Sequence, residues 1–402
     1  MSRPTIAIYG AVDRFNYGDL LFPLILTKAF RKAGANVDIA TVGMRNSDLS
    51  RYGALPSKRL PWMLNPDNLP PGSSIVVAGG ELLAAGWWQL LSHLFPPLIG
   101  DACHTMISRC VKENHLDAIG RKLLRCPWKI PFAPHSSYLQ NDINVAFNAV
   151  GGSNLAHRQE SWRNDVLSAV QNAVFASVRD RETYHLLGGE ISGAKLMPDS
   201  AAALPEFFPA TSLEATASSK IQSILRDKTP FICFQLHRYF SAEKLSKFAA
   251  QLDELQSTEG FRIILLPIGH ATGHSDHHSL QKIKHAMRKP CELLGRLNLM
   301  DTIALLSRCS VYAGTSLHGL ITAMSYGRPY ATIGKAPKCK SFLDTWCPQE
   351  LRPPARAKNL AHILAERAAT PPEKLAAQAS ETCRTALSGI DMLVKRTTRH
   401  IS

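Results

Sequence analysis

The sequence predicts an α/β fold in which two doubly wound, parallel-sheet (Rossmann-like) domains face each other across a cleft. In both halves, short β-branched apolar runs alternate with longer amphipathic runs, the pattern of strand–helix–strand units. The length of 402 residues accommodates two to three domains of about 150 residues each. A Pro-, Ser-, Thr- and Ala-rich segment, Leu204 to Ser219, predicts a linker between the halves.

The N-terminal half is expected to form one domain over residues 1–204, with a helical insertion at about 82–125. Its first strand is predicted at Thr5–Tyr9, and the polar, Pro-containing stretch from Arg45 to Pro71 is predicted to be irregular. Further strands are predicted at Val37–Val42, Ser74–Ala78, Asn144–Ala149, Val174–Val178 and Lys195–Asp199.

The C-terminal half is expected to form a second domain over residues 220–370. Residues 371–402, with a predicted helix at Glu373–Lys395, are expected to pack back across the cleft. The strands of this domain are predicted at Phe231–Leu236, Arg262–Pro267, Glu292–Leu294, Ser310–Ala313 and Tyr330–Ile333.

The charge balance favours an anionic partner. Lys and Arg number 46 against 32 Asp and Glu, which gives a formal charge of +14. These charges are scattered rather than clustered, so no nucleic acid is expected as a partner. The nine cysteines form no C-x-x-C pair, and no apolar stretch of about 20 residues occurs. We therefore expect a protein of the reducing cytoplasm.

The stretch Cys309–Gly334 predicts a strand, a glycine turn, a helix and a second strand. Gly314 permits a tight turn, and a hydroxyl of the next two residues is expected to cap the helix. His318 then lies in the first helical turn, beside backbone N–H groups expected to be free, which predicts an anion site. The turn residues predicted to bind a substrate are Gly314, Thr315, Ser316, Leu317 and Gly319.

Three other strand ends carry candidate ligand residues, because open α/β sheets bind ligands at the carboxyl ends of their strands. The first loop reads GAVDRFNYGD and lacks the G-x-G-x-x-G dinucleotide fingerprint, so Asp19 is either a helix cap or a ligand residue. Arg179 follows a strand directly, where Asp180 suffices as the cap. The remaining candidates in these loops are Asn16, Gly18, Gly79 and Gly80.

The loop Gly269–His278 contains four histidines, so a metal site must be weighed against a polar ligand loop. No acidic or cysteine cluster accompanies it. We therefore expect a ligand loop in which Asp276 caps the following helix, and no metal.

Several of these motifs together resemble the polysaccharide pyruvyl transferase family. The string GTSLHGLITAMSYGRP is similar to the family's G-x-[RS]-L-H-G turn, helix and G-x-P. NYGD at Asn16–Asp19 resembles its N-x-G-D, and SVRDRE at Ser177–Glu182 resembles its V-R-D. The resemblance implies two domains arranged as in GT-B glycosyltransferases, with the acceptor on the N-terminal side and the donor on the C-terminal side.

The resemblance also implies a reaction: transfer of a pyruvate ketal from phosphoenolpyruvate to a sugar of a polysaccharide or its lipid-linked precursor. His318 would act as the acid or phosphate clamp, Arg179 would bind the donor, and Asp19 would orient or deprotonate the acceptor. The scheme needs no cofactor. Many family members carry Arg where this chain has Ser316, and Arg238 is the candidate replacement.

Two other functions stay open. One is a GT-B-type glycosyltransferase that uses a nucleotide sugar, although the C-terminal E-x-x-x-E pattern is absent. The other is a non-catalytic anion- or nucleic-acid-binding protein. The Trp-rich, basic region Gly86–Arg125 likewise has two interpretations: an insertion buried against the sheet, or a peripheral contact with an anionic membrane.

Overall fold

A computed structural model of the protein describes residues 3–92, 94, 113–140, 142–237, 240–270 and 276–399. Two parallel sheets organise these residues. The first contains seven strands in the order β3-β2-β1-β4-β5-β6-β7, and the second contains five in the order β10-β9-β8-β11-β12. Every pairing between these strands is parallel, so the predicted class of two doubly wound α/β sheets is confirmed.

The strands of the first sheet are β1 Thr5–Tyr9, β2 Asp38–Gly43, β3 Ser57–Arg59, β4 Ser74–Ala78, β5 Asn144–Val150, β6 Phe175–Val178 and β7 Lys195–Leu196. Those of the second sheet are β8 Phe231–Phe234, β9 Arg262–Leu265, β10 Glu292–Leu293, β11 Val311–Gly314 and β12 Tyr330–Thr332.

The helices before the second sheet are α1 Tyr17–Lys32, α2 Leu60–Met63, α3 Trp87–Ser92, α4 Glu113–Leu123, α5 Glu160–Gln171, α6 Arg181–Leu186, α7 Leu204–Phe207, α8 Ala210–Thr216 and α9 Ser219–Arg226. The later helices are α10 Ala242–Thr258, α11 His277–Ala286, α12 Leu299–Arg308, α13 Leu317–Ser325, α14 Pro337–Trp346, α15 Leu360–Ala368 and α16 Pro372–Thr397.

Alternate residues of the central strands enter different hydrophobic layers, because successive side chains of a strand point to opposite faces. In β1, Ile6 and Ile8 belong to one buried cluster, whereas Ala7 and Tyr9 belong to another. The cluster of Ile6 also contains Cys233 of β8 and Leu393 of α16, so one apolar layer contacts both sheets. Both faces of β1 are therefore covered, as expected for a central parallel strand.

The segment predicted to be the linker, Leu204–Ser219, is helical, since it forms α7, α8 and the start of α9. Leu213 and Ala217 are buried in the shared apolar layer, and that burial stabilises the helices. The prediction that Arg45–Pro71 is irregular is wrong, because this segment contains β3 and α2.

The predicted insertion at 82–125 is helical where the structure describes it. Helices α3 and α4 contact each other, and Trp87 is fully buried with its indole N–H donating to the carbonyl of Lys129 at 2.7 Å. Residues 93 and 95–112 lie outside the described part. None of the described helices is both long and apolar enough to cross a bilayer.

Helix α16 returns to the first sheet. It contacts β5 and β6, and the hydroxyl of Ser74 donates to the carbonyl of Thr397 at 3.1 Å. We propose the domain division given by the sequence, with α16 as a brace from the second sheet to the first, because no strand pairing joins the two sheets among the described residues.

Helices α1 and α13 bring the two halves together. The hydroxyl of Tyr17 lies 2.8 Å from that of Thr322, and both residues are buried. The Thr322 hydroxyl also donates to the carbonyl of His318 at 2.7 Å. The first turn of α1 is thereby fixed against the first turn of α13, which places the predicted site residues of both halves side by side.

Candidate active site

A cleft of about 590 Å³ opens where the carboxyl ends of strands from both sheets meet. It is lined by the chain segments that come after β1, β4, β5 and β6 of the first sheet and after β11 and β12 of the second. Parallel sheets bind ligands at this edge. The polar and charged residues that line it are Arg14, Asn16, Asp19, Glu81, Gln89, Asn154, His157, Arg158, Arg179, Ser316, His318 and Lys338.

The glycine turn after β11 is held by the side chain of Gln235, which no sequence motif had singled out. Gln235, which follows β8, accepts hydrogen bonds from the N–H groups of Thr315 at 2.8 Å and Ser316 at 2.9 Å. Ser316 is the N-cap of α13 and accepts from Gly319 N–H at 3.4 Å. These three N–H groups are therefore not free to bind an anion, because oxygen atoms of the protein already accept from them.

Asp276 in turn orients Gln235. One carboxylate oxygen of Asp276 accepts from the Gln235 amide at 2.8 Å and from the N–H groups of Ile268 at 3.0 Å and Gly269 at 2.7 Å. Burial raises the pKa of Asp276 to about 6, although these hydrogen bonds act in the opposite direction. Asp276 stands at the N-cap position of α11 but makes no capping bond, so its predicted capping role is wrong.

His318 sits between the two halves of the molecule. Its Nε2 lies 3.4 Å from a carboxylate oxygen of Asp199, and the ring meets Phe22 of α1 edge-on at 5.6 Å between centroids. The Nδ1 side packs against Gly18, where an added Cβ would lie 1.8 Å from Nδ1. Nε2 is buried on the Asp199 side of the ring, and Cε1 is the ring atom nearest Gly80.

Asp199 is fully buried and ionised. Burial alone disfavours its charge, but the neighbouring His318 and Arg179 and the N–H of Ala201 hold the pKa of Asp199 below its usual value. The Ala201 N–H donates to it at 3.0 Å. A carboxylate fixed in this way can orient the His318 ring and stabilise positive charge on it.

Arg179 is 1% exposed and surrounded by carboxylates. Its guanidinium lies 3.2 Å from Asp199, 3.3 Å from Glu81 and 3.8 Å from Asp180. Burial opposes the charge, yet these carboxylates raise the pKa of Arg179 above its usual value. We call Glu81, Arg179, Asp180, Asp199 and His318 the ion cluster. Its carboxylates outnumber its guanidinium, so it is not an anion site as it stands.

The third residue predicted to be catalytic, Asp19, approaches the other two at Gly80. A Cβ built on Gly80 would lie 3.5 Å from Asp19 Oδ1, 3.4 Å from Arg179 Nη1 and 3.5 Å from His318 Cε1. The Asn16 amide donates to Asp19 Oδ2 at 2.6 Å, which leaves Oδ1 toward Gly80. Asp19 lies in the first turn of α1 behind the N-cap Asn16, so it is not the cap.

The predicted site residues separate into three groups. Those that line the cleft are Asn16, Asp19, Gly80, Arg179, Ser316, Leu317 and His318. Those that lie behind its wall are Gly18, Gly79, Gly314, Thr315 and Gly319. Arg238 lies outside the described residues.

Sequence reasoning missed the partners of the predicted residues. Asp199 is the last residue of the predicted strand Lys195–Asp199, and Glu81 follows the predicted site residues Gly79 and Gly80. Gly151, part of the GGSN turn, permits the packing of Arg179, because a Cβ there would lie 2.7 Å from Nε. A signal existed for each: Asp199 and Glu81 are carboxylates three residues after a strand, and Gly151 directly follows β5.

No group of three or more metal-binding side chains occurs among the described residues. Residues 271–275 of the histidine-rich loop, which include His274, lie outside the described part. His270 precedes them and packs edge-on against Phe15 at 5.4 Å. Burial and the nearby charge of Arg296 lower the pKa of His270 to about 4, so it is neutral at physiological pH.

Replacing Gln235 with Leu should destabilise the protein by about 2–5 kcal/mol, because two backbone N–H groups and Asp276 each lose a partner at about 1–3 kcal/mol. Urea denaturation measures the free energy of unfolding. The matched control is Gln171→Leu on the exposed face of α5, expected to stay within about 0.5 kcal/mol of wild type. Equal stability of both variants would contradict the structural role of Gln235.

Solved structures with a similar fold cover nearly the whole chain. A UDP-GlcNAc 2-epimerase from Neisseria meningitidis bound to UDP-GlcNAc aligns with a TM-score of 0.56 at 8% identity, covering 99% of this chain and 100% of that one. A putative UDP-N-acetylglucosamine 2-epimerase from Listeria monocytogenes gives 0.53 at 10% identity, with 96% and 91% covered. MnaA from S. aureus with UDP gives 0.51 at 12% identity, with 94% and 91% covered.

At these identities the likeness establishes the fold, which confirms the predicted GT-B-type arrangement of two parallel-sheet units. No curated protein sequence matches the chain. A family model does match residues 149–334, and its description is Polysaccharide pyruvyl transferase. The matched segment contains Arg179, Asp199 and the turn around His318, whereas NYGD lies before it. The resemblance to the polysaccharide pyruvyl transferase family is therefore confirmed over residues 149–334.

Proposed function

We propose that this protein transfers a pyruvate ketal from phosphoenolpyruvate to two hydroxyls of a sugar in a polysaccharide or its lipid-linked precursor. The observation that carries the proposal is the convergence of His318, Asp19 and Arg179 on Gly80 within the cleft. The family match over residues 149–334 supports the same reaction class.

The reaction sets the demands on the site. The methylene carbon of phosphoenolpyruvate gains a proton and becomes a methyl group, while two sugar oxygens bond to the central carbon. Its bond to the phosphate oxygen breaks, and inorganic phosphate leaves. The two sugar hydroxyls lose two protons. One proton replaces the proton that the methylene carbon gained, and the other leaves with the phosphate. A proton donor and a proton acceptor are therefore needed on opposite sides of the reacting carbon.

His318 is the proposed donor and Asp19 the proposed acceptor. Asp199 contacts Nε2, so we propose Nδ1, the other ring nitrogen, as the atom that delivers the proton. Asp19 keeps Oδ1 toward Gly80 because Asn16 binds its other oxygen. A ligand atom over Gly80 would thus lie near both groups, which is the positioning that general acid–base catalysis requires.

Arg179 has a different proposed role from a simple donor clamp. Three neighbouring carboxylates neutralise its charge. Its first task is therefore to hold the side chains of Asp199 and Glu81 in position. Its Nη1 also approaches Gly80, so its second task is to hold this edge of the cleft in place beside the reacting atoms. Lysine cannot bridge several carboxylates with the same geometry, so we expect both tasks to fail together in Arg179→Lys.

Use of a nucleotide sugar is the alternative that the structural comparison raises, since two of the aligned structures contain UDP-GlcNAc or UDP. The fold alone does not choose between the donors. Calorimetric titration with UDP-GlcNAc and, separately, with phosphoenolpyruvate distinguishes them, and we expect binding of phosphoenolpyruvate.

The proposed reaction predicts phosphate release from phosphoenolpyruvate that depends on an acceptor. The purified protein is incubated with a panel of lipid-linked and nucleotide-linked sugars, and inorganic phosphate is measured. The product should gain the mass of a pyruvate ketal. Absence of acceptor-dependent release across the panel, together with sugar transfer from a nucleotide sugar, would refute pyruvyl transfer in favour of the alternative.

Loss of the His318 proton should slow turnover without unfolding the protein. His318→Gln keeps hydrogen bonding but cannot act as an acid, so kcat should fall about 10²–10⁴-fold. Gly18→Ala should also lower kcat, because its methyl group displaces Nδ1, even though Ala favours a helix by about 1 kcal/mol. The control is His362→Gln on the exposed face of α15.

Steady-state kinetics and circular dichroism separate chemistry from folding in these variants. Turnover of His318→Gln near that of wild type would remove the acid assignment. A normal Gly18→Ala enzyme would show that Nδ1 is not the atom that serves the cleft.

We also propose that α4 brings the protein to an anionic membrane that carries the acceptor. Ile119 is 49% exposed and Leu123 64% exposed, and they lie one helical turn apart. Arg121 and Lys122 occupy the same last turn. Apolar side chains beside basic ones are typical of helices that lie on anionic membranes.

Vesicle flotation tests the membrane proposal. Vesicles containing phosphatidylglycerol should recover the protein better than phosphatidylcholine vesicles, and the double variant Ile119→Ser, Leu123→Ser should lose the difference. Ile191→Ser is the control, since Ile191 is 76% exposed on another part of the surface. Equal recovery with both lipids would leave α4 as an ordinary surface helix.

A further inference from the structure

The anionic donor needs a cation that is not already neutralised, and most cations of the cleft are engaged. Arg179 faces three carboxylates. Arg14 lies 3.6 Å from the carboxylate of Asp13. Arg158 donates to the carbonyl of Ala84 through two nitrogens, at 2.9 and 2.6 Å, and covers the ring of Trp162.

Lys338 differs from these residues. It lines the cleft from the first turn of α14, is exposed, and makes no ion pair or hydrogen bond with any residue in the described part of the chain. Its charge acts on the neighbouring loop. Burial lowers the pKa of His237, and the positive charge of Lys338 lowers it further. The next lysine of the helix, Lys340, pairs with Asp344.

The charge distribution along the cleft gives Lys338 its importance. The ion cluster contains three carboxylates against one guanidinium, so its carboxylates repel a phosphate group. Helices α13 and α14 both begin beside the cleft, and their first turns carry partial positive charge. Lys338 adds a full positive charge in the first turn of α14.

We propose that Lys338 binds the phosphate group of the donor and thereby sets its orientation. The phosphate lies toward the second sheet, and the methylene carbon lies toward His318 and Gly80. This assignment rests on the proposed function for the identity of the donor, but the cation site itself can be tested with inorganic phosphate.

The experiment compares Lys338→Gln with wild type by calorimetric titration of phosphoenolpyruvate, inorganic phosphate and pyruvate. Removing one charge-assisted contact should weaken phosphoenolpyruvate and phosphate binding about 10–100-fold and leave pyruvate, which has no phosphate group, within about threefold. Lys338→Arg should restore most of the affinity. The matched control is Lys335→Gln, an exposed lysine three residues earlier that does not line the cleft.

Several outcomes overturn the assignment. These are unchanged phosphate affinity in Lys338→Gln, an equal loss in Lys335→Gln, a loss in Arg238→Gln alone, or no binding of either phosphate compound by wild type. The proposed reaction fails separately. If wild type binds phosphate through Lys338 but never releases it from phosphoenolpyruvate with any acceptor, the cation site stands and pyruvyl transfer does not.

Discussion

The contact on which the site depends is the buried carboxylate of Asp199 between Arg179 and His318. Arg179 follows β6 of the first sheet, and His318 belongs to the first turn of α13 beside the second. Burying charges is costly unless each has a partner, and here each partner comes from a different element. The two sheets must therefore keep one relative position for the ion cluster to remain satisfied.

Three glycines, one in the first turn of α1 and two in the loops after β4 and β5, make this contact sterically possible. Gly18 allows the His318 ring to reach α1, and Gly151 allows the guanidinium of Arg179 to pack below the cleft. Gly80 leaves open the space that Asp19, Arg179 and His318 surround. A side chain at any of these positions would occupy space that a catalytic group or a ligand needs. The glycine-rich turns thus serve close approach rather than backbone flexibility alone.

In the turn after β11, the backbone is held by hydrogen bonds, whereas side chains face the cleft. Gln235, which Asp276 orients, accepts from two N–H groups of the turn, so its side chain holds the turn in shape. The groups left for chemistry are side chains that project from it or stand opposite it. This division agrees with the general expectation that reactive groups are positioned by elements whose own polar atoms are already paired.

The sequence by itself determined the alternation of strands and helices, the positions of most strands, the Asp180 cap and the strand ends at which His318, Asp19 and Arg179 stand. These features depend on local periodicity and on residues a few positions apart. It could not determine that Asp199 and Glu81 neutralise Arg179, that Gln235 occupies the N–H groups predicted to be free, or that Leu204–Ser219 is helical. Those outcomes depend on contacts between distant parts of the chain and on the burial of apolar side chains, which only the tertiary structure decides.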